Sequence, residues 1–173
     1  MTQEANEASE ADATARVGIV VGSRSDIAAA ERAMAVLDEL GVDSEIRVIS
    51  AHRAPDLLGR FIAGAEARGI RCFIAIAGLA AHLPGVVASQ TTLPVIGVPM
   101  AGGVSDGLDA LLAIVQMPKG VPVATVGVGN GENAALLAAA IVAVAEPAVG
   151  ERLRARRAAA AKAIAADPAN EGL

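Results

Sequence analysis

The chain has 173 residues, a net charge of −5 at pH 7, 54% hydrophobic residues and 19% charged residues. Its length and apolar content specify one folded domain with a core of its own and exclude disorder as the global state. The acidic balance leaves no electrostatic footprint for nucleic acid, and with two phenylalanines, no tryptophan and no tyrosine there is no stacking platform for single strands.

Residues 1–15 carry Glu4, Glu7, Glu10 and Asp12 and no base before Arg16. A secretory signal has a basic start and an apolar middle; this segment has neither and reads as a disordered acidic tail on a cytoplasmic protein. From Arg16 onward strand-like and helix-like runs alternate. Arg16 to Gly22 is a short buried-strand pattern, and Ile27 to Leu40 has helical spacing ending at Gly41. Ser44 to Ser50 is a second strand. Pro55 stands at a natural first helical position, with helix from Asp56 to Arg68 stopped by Gly69. Arg71 to Ala77 is the third strand and holds Cys72, the sole cysteine, which rules out an intramolecular disulfide or a Cys-rich zinc site and reads as a buried structural thiol.

His82 to Gln90 reads as a short helix interrupted by Pro84 and Gly85, and Leu93 to Val98 as the fourth strand. Gly107 to Gln116 is helix, Val121 to Val126 the fifth strand, and Glu132 to Ala145 helix. A last helix from Val149 to Ala165 carries Arg152, Arg154, Arg156 and Arg157, read as a solvated or subunit-facing surface. No apolar run reaches the roughly 18 residues that a membrane span needs. The division is a tail (1–15), a catalytic α/β domain (16–147) and a C-terminal helix and tail (148–173). Five strands alternating with helices give a three-layer α/β sandwich on a five-stranded parallel sheet, with flavodoxin-like order the leading topology. The high apolar fraction also points to part of the surface being covered by another subunit.

Open parallel sheets bind ligands at the carboxyl ends of their strands, so the loops after the first three strands are the candidate site. They read Gly22-Ser23-Arg24-Ser25-Asp26, Ser50-Ala51-His52-Arg53-Ala54-Pro55 and Ala77-Gly78-Leu79-Ala80-Ala81-His82-Leu83-Pro84-Gly85, and they contain both histidines of the chain. The first offers amide and hydroxyl donors at a helix start, a site for an anion, with Asp26 either capping the helix or accepting from sugar hydroxyls. The second pairs an acid/base candidate, His52, with a fixed cation, Arg53. The third is walled by small residues that admit close approach of a ligand, and His82 either orients that ligand or caps the short helix. Gly127-Val128-Gly129-Asn130-Gly131 shares part of a dinucleotide fingerprint but follows the last strand instead of the first, and reads as a glycine-rich turn with Asn133 near the helix start.

The segments GSRSD, SAHRAP, AGLAAHLPG, LPVIGVP, GLDALLAIVQMPKGVPVATVGVG and ENAALLA, in this order, strongly resemble the class I N5-carboxyaminoimidazole ribonucleotide mutases of de novo purine synthesis, over Val17 to about Val144. The resemblance implies a homo-octamer of flavodoxin-like subunits, active sites at subunit contacts, and no metal or organic cofactor. It implies that Ser23 and Asp26 hold the ribonucleotide, with Ser25 and Arg53 at its phosphate. It gives His52 the proton on the ring carbon that receives the carboxylate, and has Ser50, Gly78, His82 and Leu83 line the pocket around base and carboxylate. The implied mechanism is decarboxylation of the N-carboxy group, retention of carbon dioxide in the closed pocket and recapture at ring carbon. Leu79 stands where many members have a second glycine, Val86 where they have methionine, and the turn from Gly129 to Asn133 is shorter. Class II members, which carboxylate aminoimidazole ribonucleotide directly, typically lack the AAHLPG arrangement kept here.

Other readings fit less well. A pyridinium-mononucleotide carboxylase needs a nucleophile, and Cys72 is mid-strand. A phospho-receiver needs clustered carboxylates and a lysine after the fifth strand, where neither Lys119 nor Lys162 falls. A flavin carrier normally stacks its ring on aromatics that this chain lacks.

Overall fold

The computed structural model describes residues 16–172; the acidic segment read as a tail lies outside them. The strands are β1 (Val17–Val21), β2 (Ser44–Val48), β3 (Cys72–Ala77), β4 (Val95–Pro99) and β5 (Ala124–Thr125). Between and after them run α1 (Ile27–Glu39), α2 (Pro55–Ala63), α3 (Leu83–Ala88), α4 (Leu108–Val115), α5 (Gly131–Val142) and α6 (Pro147–Ala165). All four strand pairings are parallel, in the order β2-β1-β3-β4-β5. This is the expected flavodoxin-like sheet. Order reverses between β1 and β3, so the loops leaving those strands diverge and open a crevice.

The central strands explain the layers. Every residue of β1 (VGIVV) and β3 (CFIAIA) is buried, the continuous apolar run that a sheet covered on both faces demands. Alternate side chains feed two cores. Val17, Ile19, Val21, Cys72, Ile74 and Ile76 pack under α1 and α5, whereas Val20, Phe73, Ala75 and Ala77 pack under α2, α3 and α4. The first core is unusual in having an alanine seam: Ala29, Ala30 and Ala33 of α1 meet Ala134, Ala135, Ala138 and Ala139 of α5. At Gly131 the two helices come so close that a methyl would fall inside van der Waals distance of the Ala29 carbonyl oxygen. The glycine-rich turn after β5 is thereby explained by packing: Gly131 permits helix contact, and the Asn130 side chain caps α5 by accepting from Asn133 N at 2.9 Å.

Several boundaries differ from the sequence reading. The helix from Pro55 ends at Ala63, because Arg68 folds back to donate to the Phe61 carbonyl (2.9 Å) and pair with Glu45 (2.9 Å), replacing further helical turns. The fifth strand shrinks to two residues; Pro122 has no N–H to offer and β5 is an edge. Pro84 does not interrupt its helix but sits in the first turn of α3, where its missing donor costs nothing. On α6, Arg152 donates to the Leu40 carbonyl at the end of α1 and Arg156 pairs with Glu39, so half of the basic cluster serves its own chain as a helix C-cap and charge complement. Arg154 and Arg157 remain exposed. Among the described residues no helix is long and apolar enough to cross a membrane.

Candidate active site

Three loops at the carboxyl edge of the sheet build the site. After β1 the chain enters a single 3-10 turn, Arg24–Asp26, before α1 begins. Ser23 is extended and its hydroxyl oxygen accepts from Ser25 N at 3.4 Å, while the Ser25 hydroxyl donates to Asp26 Oδ1 at 3.1 Å. Asp26 makes no side-chain cap to α1, so of its two sequence-based roles the structural one is not realised.

After β2, Ser50 closes a turn. Its carbonyl accepts from Ala54 N at 2.9 Å and its hydroxyl oxygen from Arg53 N at 3.3 Å, which throws His52 and Arg53 outward. The Arg53 guanidinium then reaches back to donate to the Gly22 carbonyl at 3.3 Å, tying the second loop to the first. The hydroxyls of Ser23 and Ser50 thus both accept within their own turns. Each keeps its O–H as a donor to something else.

After β3, Gly78 lies so close to Met100 that a methyl on it would be 3.3 Å from Met100 Cβ. Leu79 follows with φ at +54°, a left-handed conformation uncommon for a leucine. Ala81 and Leu83 are buried on either side of His82 and fix its backbone. His82 does not cap α3; its Nδ1 lies 2.8 Å from His52 Nε2, with the rings nearly perpendicular at 84°. One imidazole donates and the other accepts. The bond fixes the two rings relative to each other and leaves His52 Nδ1 and His82 Nε2 as the ring nitrogens available to a ligand.

The three loops enclose a cleft of about 680 Å³, within the range for a small-molecule site. Ser23, Ser25, Asp26, Ser50, His52, Arg53, Gly78, His82 and Leu83 all line it. Met100 and Ala101, at the end of β4, line it as well and escaped the sequence reading. The strand-end rule that selected the first three loops applies equally to the fourth, whose two cleft-lining residues carry no polar side chain to draw attention. Residues 127–131 are not part of this lining. Cys72 is the first residue of β3, where burial pushes its thiol up to about 12; it is no nucleophile at neutral pH. In sum, the cleft holds a fixed cation and hydroxyl donors at one side, an exchangeable proton on a paired imidazole, and otherwise small apolar walls.

The AIR carboxylase family model matches residues 16–163. An N5-carboxyaminoimidazole ribonucleotide mutase of Thermotoga maritima is 51% identical over 139 residues, covering 80% of this chain and 81% of that protein. A protein of the same name from Methanocaldococcus jannaschii is 55% identical over 135 residues, 78% of this chain and 83% of its own length. Among solved structures, Treponema denticola PurE superposes with a TM-score of 0.83 at 28% identity, covering 91% of this chain and 98% of that one.

Proposed function

Since the chain belongs to the AIR carboxylase family, we propose that its cleft converts N5-carboxyaminoimidazole ribonucleotide to 4-carboxy-5-aminoimidazole ribonucleotide, an isomerisation in purine biosynthesis. The observation that carries the reading is the meeting, in one small cleft, of a fixed cation, Arg53, beside serine hydroxyls and a hydrogen-bonded histidine pair. The reaction moves one carboxylate and one proton. The N5–carboxylate bond breaks, its electron pair returns to nitrogen with a proton, and carbon dioxide is released within the cleft. Ring carbon C4 then attacks the carbon dioxide and loses its own proton. In net terms a proton passes from C4 to N5, which one acid/base group can accomplish.

His52 is assigned that role, supported by its bond to His82, which offers the proton a second resting place. Arg53 and Ser25 take the phosphate; the bridge from Arg53 to Gly22 supports this by holding the guanidinium against the loop that carries Ser25. Ser23 and Asp26 take the ribose. Ser50, Gly78, His82 and Leu83 take base and carboxylate, supported by the free donor on Ser50 and the small wall at Gly78. Holding both reaction partners in a cavity with apolar walls favours recapture over loss to water.

The protein is further assigned to the cytoplasm as a homo-octamer, with residues 16–147 as catalytic domain, 148–173 as C-terminal extension and 1–15 as tail. Exposed Leu108, Leu112 and Val115 on one side of α4 support the assembly, as an apolar face ready for a second copy. The test compares two substrates at low total carbon dioxide: N5-carboxyaminoimidazole ribonucleotide, and aminoimidazole ribonucleotide with bicarbonate. Rapid turnover of the first is expected. Turnover of the second alone would replace the mutase reading by that of a direct carboxylase.

A further inference from the structure

Leu79 is a feature that the assigned roles leave unexplained. It follows β3 with φ at +54°, where glycine rests without strain and leucine does not. A strained residue persists when its surroundings hold it, and its side chain is then a candidate for a task. Leu79 lines the cleft and is 64% exposed, so it serves no core. Its side chain reaches across to the loop after β4: a methyl placed on Gly103 would meet Leu79 Cδ2 at 3.0 Å. That loop, residues 101–106, is exposed throughout. The apolar side chain therefore stands at the mouth of the cleft, between the end of β3 and an open loop, and on the same loop as Gly78 and His82.

We propose that Leu79 is the apolar stopper of the carbon dioxide pocket, keeping water out and the released gas in during the interval between decarboxylation and recapture. The inference rests on the reaction proposed above. Carbon dioxide has no charge and no hydrogen to donate. A polar group cannot retain it selectively, whereas an apolar wall at the exit can. The phosphate and ribose anchors lie on the first two loops, so Leu79 acts on the partition of the intermediate and not on ligand affinity.

The test uses substrate carrying ¹³C in its N5-carboxy group, in unlabelled bicarbonate with carbonic anhydrase to equilibrate any escaped gas. Mass spectrometry reads the label kept in the product at early turnover. Leu79→Gly and Leu79→Asn both accept a positive φ, so neither is expected to disturb the fold, and a thermal melt checks this. Wild type is expected to keep most of the label. Both variants are expected to pass severalfold more unlabelled carbon into product, with product affinity unchanged. Label retention in Leu79→Asn equal to wild type overturns the proposal, as does a loss of affinity in its place. Loss of label in wild type itself overturns the mutase reading instead, so the two failures are distinguishable.

Discussion

Replacing His52 by asparagine keeps a hydrogen-bonding side chain of similar size but removes the group that exchanges a proton near neutrality. Losing a general acid/base costs about 10²- to 10⁴-fold in turnover, or roughly 3–5 kcal/mol of transition-state stabilisation. His82 touches His52 through one exposed hydrogen bond of 2.8 Å. Such a bond contributes on the order of 0.5–1.5 kcal/mol, so His82→Asn is expected to slow turnover only about 2- to 13-fold. The geometry makes a further demand. If His82 influences the proton only through His52, the double variant is no slower than His52→Asn alone, and the effect of His82 disappears from the cycle. The assay is kcat for the four proteins with the N5-carboxy substrate, with product affinity measured beside it to show that binding changes less than about tenfold in His52→Asn. Near-wild-type turnover in that variant would refute the assignment. A double variant slower by the product of the two single losses would instead show that His82 acts on base or carboxylate directly and not through His52.

Arg53→Ala is expected to weaken ribonucleotide binding about 10- to 100-fold, the contribution of a charge-assisted bond to phosphate, and to leave binding of the dephosphorylated nucleoside unchanged; calorimetric titration with both ligands checks this. Gly131→Ala places a methyl against the Ala29 carbonyl, which as backbone cannot move aside; chemical denaturation is expected to show a loss on the order of 1–3 kcal/mol. Burial raises the Cys72 thiol from 9.0 to about 12 in the folded chain. The folded state therefore holds that proton where the unfolded state releases it. The stability this confers is complete below about pH 9 and is lost as pH rises towards about 12. Denaturant titrations of wild type and Cys72→Ala are expected to diverge in their alkaline slopes over that window. In sedimentation the chain is expected to run as an assembly larger than a dimer at micromolar concentration; a stable monomer would remove the octamer.

The architecture was legible because its signals were redundant. VGIVV and CFIAIA cannot be anything but strands covered on both sides, and the helices between them fix crossover direction and hence a parallel sheet. Sheet topology in turn brought the nine candidate site residues of three separate loops, from Ser23 to Leu83, to one cleft. What escaped depends on single long-range contacts that no local pattern encodes. The return of Arg68 to Phe61, which shortens α2, joins side chain to backbone across a turn, and the short pairing of β5 reflects its edge position together with Pro122. The histidine pairing could not be read either, since His52 and His82 are thirty positions apart and their ring geometry depends on both loops. Met100 stayed hidden because an apolar residue at a strand end looks like core. Leu79 was visible as a departure from the related sequences, but its left-handed backbone was not.

The alanine seam between α1 and α5 has a consequence for the chemistry at a distance. Alanine surrenders no side-chain rotamers on burial, and two backbones in near contact leave no slack to absorb a shift. The helix so clamped is the one whose first residue, Ile27, directly follows Asp26. The seam therefore acts as a gauge block: it fixes how far the first loop stands above the end of β1. An extra methylene or two at Ala30, deep in the interior, is transmitted along a rigid rod to the cleft-lining side chains of Ser23, Ser25 and Asp26. Side chains that line no part of the cleft thereby set the height of one of its walls.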